Sequence, residues 1–172
     1  MKDDAYWMGI ALREADKAAD RGEVPIGAVL VRGGIVVGRG YNRREGTRDP
    51  TAHAEIIAIR KAALKADNWR LTDATIYVTL EPCLMCMGAI LLARLQRVVF
   101  GCRDPKAGAA GSLYDLSNDR RLNHRLAVIG GVMETECAER LSRFFSALRS
   151  MKQDLKDMSH QVRRDVRVVD GA

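Results

Sequence analysis

Four residues in two short stretches have the types and spacing that chemistry requires: His53 and Glu55, and Cys83 and Cys86. The two cysteines lie in Glu81-Pro82-Cys83-Leu84-Met85-Cys86, between a β-branched and aromatic run, Thr75 to Thr79, and an apolar run of good helix formers, Met85 to Ala93. Proline is favoured where a helix begins and disfavoured inside one, so Pro82 marks a strand-to-helix switch. The i, i+3 spacing then puts both sulfurs on one side of the first turn, where the positive end of the helix dipole favours thiolate, the form zinc binds. A third ligand is needed. Of the three histidines, His53 sits in a comparable setting, at the start of a predicted helix. One imidazole and two thiolates leave a tetrahedral ion with an open position, as a catalytic zinc requires, whereas a structural zinc is closed by four protein ligands. Glu55, two residues on, points roughly 200° around the helix from His53. It is poorly placed as a further ligand and better placed as a general base toward water on the ion. Two other readings stay open: His53 as a buried core histidine, and Cys102 or His124 as a fourth ligand that closes the site.

The elements that must position these groups follow from periodicity. Trp7, Met8, Ile10, Ala11, Leu12, Ala15, Ala18 and Ala19 recur at helical spacing, with Gly22 beyond them as a stop. Residues 25–31 and 35–41 read as two strands around Gly33-Gly34, a hairpin signal. The charged stretch from Asn42 to Thr51 reads as a surface loop ending at the metal site, and residues 52–66 as a second helix. The strand, helix and strand from Thr75 through Arg97-Val98-Val99-Phe100-Gly101 have the length of a right-handed parallel crossover. That topology brings the starts of the second and third helices to one edge of the sheet. Residues 102–125 have no strong periodicity; Leu113 to Leu116 is expected to form a short helix, and the remainder a lip over the pocket. A fifth strand is expected at residues 126–132, parallel to the fourth. The last helix starts near Glu134 and is expected to turn Cys137, Leu141, Phe144, Phe145 and Leu148 inward. The fold class is thus α/β: three layers, α/β/α, around a five-stranded mixed sheet, the hairpin antiparallel and the later strands parallel.

The paired signatures His53-Ala54-Glu55 and Pro82-Cys83-Leu84-Met85-Cys86 resemble the H-x-E and P-C-x-x-C motifs of the zinc-dependent nucleobase deaminases. Further segments resemble the tRNA adenosine deaminase branch: Glu23 to Val29, Tyr41-Asn42, Arg97 to Asp104, Lys106, Gly108 to Ser112, Asn123-His124-Arg125 and Phe144-Phe145. The similarity spans most of the chain, from the first helix to about Arg149. It implies a cytidine deaminase-like fold, one zinc ion per subunit on His53, Cys83 and Cys86, and Glu55 as the catalytic proton carrier. Its implied substrate is the anticodon stem-loop of tRNA, with adenosine converted to inosine at the wobble position. It also implies substrate contacts from Ile26, Asn42, Ala54, Asp104, Lys106, Phe145 and Arg149, and a homodimer. In it Asn42 bonds the nucleoside, Asp104 lies near backbone or sugar, and Lys106 lies near phosphates; by local chemistry alone Asn42 is a turn residue.

Composition bounds these readings. A chain of 172 residues forms one domain, expected over residues 1–153, and buries about 70% of its unfolded surface without disulfide support. Residues 154–172, mixed in charge and without a steady apolar face, are expected to extend the last helix briefly and then fray. No apolar run approaches the length of a membrane span, and the first residues lack a signal-peptide plan, so a cytoplasmic, membrane-free protein is expected. Cys102 and Cys137 are isolated in sequence, which fits a reducing compartment. The excess of 28 basic over 22 acidic residues, net +6, supports a polyanionic partner. Two alternatives compete: a deaminase of a free base or nucleoside such as cytosine, cytidine or guanine, and a non-catalytic zinc-containing RNA-binding subunit.

Overall fold

The computed structural model describes residues 2–169. Helix α1, Asp4–Ala19, is capped by Asp3, whose carboxylate accepts from the Tyr6 amide at 2.8 Å. Strands β1, Gly27–Arg32, and β2, Ile35–Tyr41, form a hairpin whose two linking glycines, Gly33 and Gly34, both take positive φ (55° and 74°). A tight two-residue hairpin turn needs that conformation, and glycine adopts it without a Cβ penalty. A short helix, α2, Arg44–Thr47, follows within the expected loop, and then α3, Ala54–Ala66. Strand β3, Ala74–Leu80, helix α4, Leu84–Leu92, and strand β4, Arg97–Cys102, make the crossover. Strand β5, Ala127–Ile129, and helix α5, Glu134–Val169, complete the chain.

The sheet order is β2-β1-β3-β4-β5, antiparallel for the first two neighbouring pairs and parallel for the last two. Alternation along the strands sorts side chains into two cores. Leu30, Ile76, Val78, Val98 and Phe100 meet α3 and α4, while Val29, Val31, Tyr77 and Val99 meet α1 and the start of α5. Met87 and Ile90 of α4 are fully buried in the first of these. The layer of α3 rests directly on backbone: a Cβ at Gly38 would lie 2.2 Å from the Ala58 carbonyl oxygen, and one at Gly40 2.1 Å from that of Ala54. Ala54, Ala58 and Ala62, one helical turn apart, present the matching small surface. On the other face, Arg140 of α5 holds Asp16 of α1 at 2.7 Å. Tyr77 donates to Asp4 at 2.9 Å, and Arg97 pairs with the same carboxylate.

Four expectations are corrected. Residues 113–116 form no helix: Ala110 and Asp115 make an isolated bridge, and the Leu113 and Tyr114 amides both donate to the Gly108 carbonyl. The amides of Ala110 and Ser112 are instead drawn to the buried carboxylate of Glu81, and Gly111 takes φ 128°, outside any helix. The fifth strand is also shorter than expected, three residues rather than seven. In α5, Cys137 is buried and Leu141 packs on the core, but Phe145 and Leu148 are exposed. Adjacent residues on a helix point about 100° apart, so Phe144 and Phe145 cannot both face inward. At 36 residues α5 is about 54 Å long and outruns the sheet it packs on. Its backbone stays helical to Val169, whereas residues 154–172 were expected to extend the helix only briefly and then fray; residues 170–172 lie outside the described residues.

Candidate active site

Two helices start at the same edge of the sheet. Strand β3 ends at Leu80 and runs through Glu81-Pro82 into α4, whose N-cap is Cys83; His53 is the N-cap of α3. Both N-caps take extended backbone, φ −75° and −74°, and neither side chain makes a capping hydrogen bond. They turn toward each other instead. His53 Nδ1 lies 3.7 Å from Cys83 Sγ and 3.5 Å from Cys86 Sγ, and the three ligand atoms fall within 4.8 Å of one another. A tetrahedral ion bound at about 2.3 Å to sulfur and about 2.05 Å to nitrogen would set such donors about 3.6 Å apart. The residues therefore fit a metal ion without rearrangement. Neither suggested fourth ligand joins them: Cys102 donates to the Thr79 carbonyl, and His124 Nε2 lies 2.7 Å from the Leu95 carbonyl oxygen. Among the described residues, the metal-competent group is His53, Cys83 and Cys86.

The electrostatics suit cation binding. A hydrogen bond from Cys86 holds the Cys83 thiol down at about 4, against burial, with help from His53. The same bond, together with burial, pushes Cys86 upward, and a cation binds thiolate rather than thiol, so binding releases protons from such a pair. His53 is raised by its hydrogen bond to Cys83. Glu55, 4% exposed, is raised by burial, against the opposing pull of its own backbone amide and of the His53 charge.

These groups face a cavity of about 190 Å³. His53, Ala54, Glu55 and Cys83 line it together with Ile26, Asn42 and Asp104. The sheet explains the convergence. Ile26 precedes β1, Asn42 follows β2, Cys83 follows β3 and Asp104 follows β4, and the pairing puts all four strand ends on one edge. Ligands bind at such an edge in open α/β sheets. Lys106 is exposed on the loop beyond Asp104, its amide donating to the Asp104 carboxylate at 3.0 Å. Phe145 and Arg149 lie on α5 and do not line the cavity; Arg149 donates to Ser146.

Sequence reasoning missed Val24, Arg44, Leu80, Glu81 and Ala107, which also line the cavity. Arg44 was detectable as part of the charged segment leading to His53. Glu81 is 2% exposed and ties down the loop above the site, accepting from the amides of Asp104, Ala110 and Ser112 and from the Ser112 hydroxyl. Burial works to raise this carboxyl, but the bonds from Ser112, Asp104 and Ala110 outweigh it and hold it below its ordinary value. A Cβ at Gly108 would meet Glu81 at 2.5 Å, so only glycine lets the loop pass there.

Comparison with known proteins agrees with this geometry. Residues 2–149 match the MafB19-like deaminase family. The tRNA-specific adenosine deaminase of Bacillus subtilis (strain 168) is 48% identical over 153 residues, 89% of this chain and 95% of that protein. A solved structure from work on A-to-I editing by tRNA:A34 deaminases at the wobble position of transfer RNA is 46% identical. It superposes with a TM-score of 0.77, covering 79% of this chain and 99% of that one. A guanine deaminase from Bacillus subtilis is 35% identical, with a TM-score of 0.58, covering 64% of this chain and 71% of that one. The match runs through the hairpin, both ligand-bearing helices and the crossover, and the chain belongs to the MafB19-like deaminase family.

Proposed function

We propose that this protein hydrolytically deaminates adenosine to inosine at the wobble position of a tRNA anticodon. The observation that carries the reading is a buried carboxylate, Glu55, beside a His/Cys/Cys group in a cavity sized for one flat ring. Pockets that take drug-sized ligands run to about 300–1,000 Å³, and this cavity is smaller. The ion proposed for His53, Cys83 and Cys86 is zinc, one per subunit, because zinc accepts mixed imidazole and thiolate donors with one position left open. When bound, zinc supplies the Lewis acidity that makes water nucleophilic at neutral pH.

The protein's own groups do the rest. Glu55 takes a proton from the attacking water as oxygen adds to C6, passes it to N1, and carries a second proton to the departing amine, so that ammonia leaves and inosine remains. Burial raises Glu55 above the ordinary carboxyl range, the direction a group that must both take and give a proton requires. Ile26 and the Ala54 backbone flank the flat ring, and Asn42 bonds the nucleoside. Asp104 approaches the sugar or backbone, and Lys106, Phe145 and Arg149 meet the stem-loop. A base must leave its stack to enter, so a single-stranded loop is the accessible substrate.

The deaminase domain is assigned to residues 1–153, working as a homodimer. Support for a second copy comes from the outer face of α4, where Leu84 is 45% and Leu92 72% exposed and Gly88 opens the space between them. Among the described residues no helix is long and apolar enough to cross a membrane, and the cytoplasm, where tRNA resides, is the proposed compartment. The test is sequencing an anticodon stem-loop before and after incubation with zinc-loaded protein, beside free adenosine, cytidine and guanine. Inosine at the wobble position supports the reading. Turnover of the free compounds alone refutes it in favour of a small-molecule deaminase.

A further inference from the structure

One buried carboxylate beside the cavity has no part in the reaction as described. Glu23 is 2% exposed, and among the described residues no cation pairs with it. Its partners are N-H groups: Oε2 accepts from Asn42 Nδ2 at 3.4 Å and from the Glu45 amide at 3.2 Å, and Oε1 accepts from the Gly46 amide at 2.8 Å. A Cβ at Gly46 would lie 3.3 Å from Oε1, so the turn closes tightly on this oxygen.

Resting on the reading above, we propose that Glu23 is a positioning residue that sets the orientation of the Asn42 amide toward the bound nucleoside. The argument is one of hydrogen inventory. An ionised carboxylate only accepts, so the edge of Asn42 that meets it must be the NH₂ and not the carbonyl. That removes the two-fold ambiguity inherent in an amide and leaves the carbonyl oxygen and one N-H for the cavity, which Asn42 lines while only 4% exposed. The Asn42 backbone is fixed as well, its amide donating to the Ile26 carbonyl at 3.0 Å. An asparagine held at both ends needs no ordering when substrate arrives, which is where a pre-set hydrogen bond gains over a mobile one.

The test is a double-mutant cycle on kcat/KM between Glu23→Gln and Asn42→Ala, with metal content and thermal midpoint measured on each variant. Gln has the shape of Glu but offers NH₂ to partners that are themselves donors, so the Asn42 amide loses its fixed orientation. Loss of one neutral hydrogen bond is worth roughly a threefold to tenfold drop. That drop is expected for Glu23→Gln in the wild-type background and less than twofold in the N42A background. Equal losses in both backgrounds, or no loss in either, overturn the proposal.

A second arm needs no activity. Asn42→Asp sets two carboxylates face to face and should lower the thermal midpoint; adding Glu23→Gln should restore the midpoint but not kcat/KM. A midpoint unmoved by Asn42→Asp also overturns the proposal. If the wild-type protein leaves the anticodon loop unchanged, the proposed function fails, while the thermal arm still decides the Glu23–Asn42 contact.

Discussion

Replacing Glu55 by Gln separates proton transfer from every other contribution of that side chain. The substitution keeps volume and planarity at a position 4% exposed that lines the cavity, so neither core cluster has to repack. If Glu55 only positions water through a neutral hydrogen bond, the loss is about 0.5–1.5 kcal/mol, at most about tenfold. If it moves protons at N1 and at the leaving amine, the loss is about 10² to 10⁴ in rate, or about 2.7 to 5.5 kcal/mol. The two ranges do not overlap. The assay is single-turnover conversion of a wobble-adenosine stem-loop by wild type and E55Q, each carrying one zinc per subunit by elemental analysis. A variant that retains its metal and its thermal midpoint but converts substrate at least a hundredfold more slowly is expected. Activity within tenfold of wild type refutes the assigned role.

Three further outcomes are expected. Chelation should abolish turnover while helical circular dichroism persists, because neither core draws on His53, Cys83 or Cys86, and zinc should restore activity; restoration in a His53→Ala variant would contradict the ligand assignment. Burial and then the Asp4 carboxylate push the Tyr77 hydroxyl up to about 12 from its ordinary 10. A group raised on folding lends stability that is intact below pH 10 and is lost as pH climbs toward 12, so Tyr77→Phe should flatten the alkaline arm of a denaturation series; an unchanged arm contradicts it. Lys106→Ala should weaken stem-loop binding and reduce the salt dependence by about 0.7–0.9 of a log-log unit, without changing the thermal midpoint; an unchanged slope removes Lys106 from the phosphate contacts.

What sequence could reveal here followed from how each group declares itself. His53, Cys83 and Cys86 announce a metal by type and spacing, and the structure brings their ligand atoms together. Strands β1, β3 and β4 were equally legible as near-continuous apolar, β-branched runs, because both faces of the sheet are covered. The cavity walls were harder. Val24, Leu80 and Ala107 are ordinary apolar residues made relevant only by strand ends meeting at one edge. Glu23 and Glu81 look like solubilising charges in a one-dimensional reading, and only the fold shows that backbone amides surround them. Phe145 misled for the opposite reason: an aromatic residue on an amphipathic helix reads as core until the helix is seen to run past the sheet.

The close seat of α3 on β2 has a consequence for how this chain tolerates change. A methyl group at Gly40 would have to open its 2.1 Å gap to the Ala54 oxygen by more than an ångström, and the helix end that must yield carries His53 and Glu55. Misplacing reacting groups by about 1 Å can cost a hundredfold in rate. The calibration of the reaction centre is therefore stored in hydrogen-for-side-chain positions that bear no functional group, and a variant at Gly40 would mimic a lesion in the catalytic machinery while leaving every reactive atom in the chain intact.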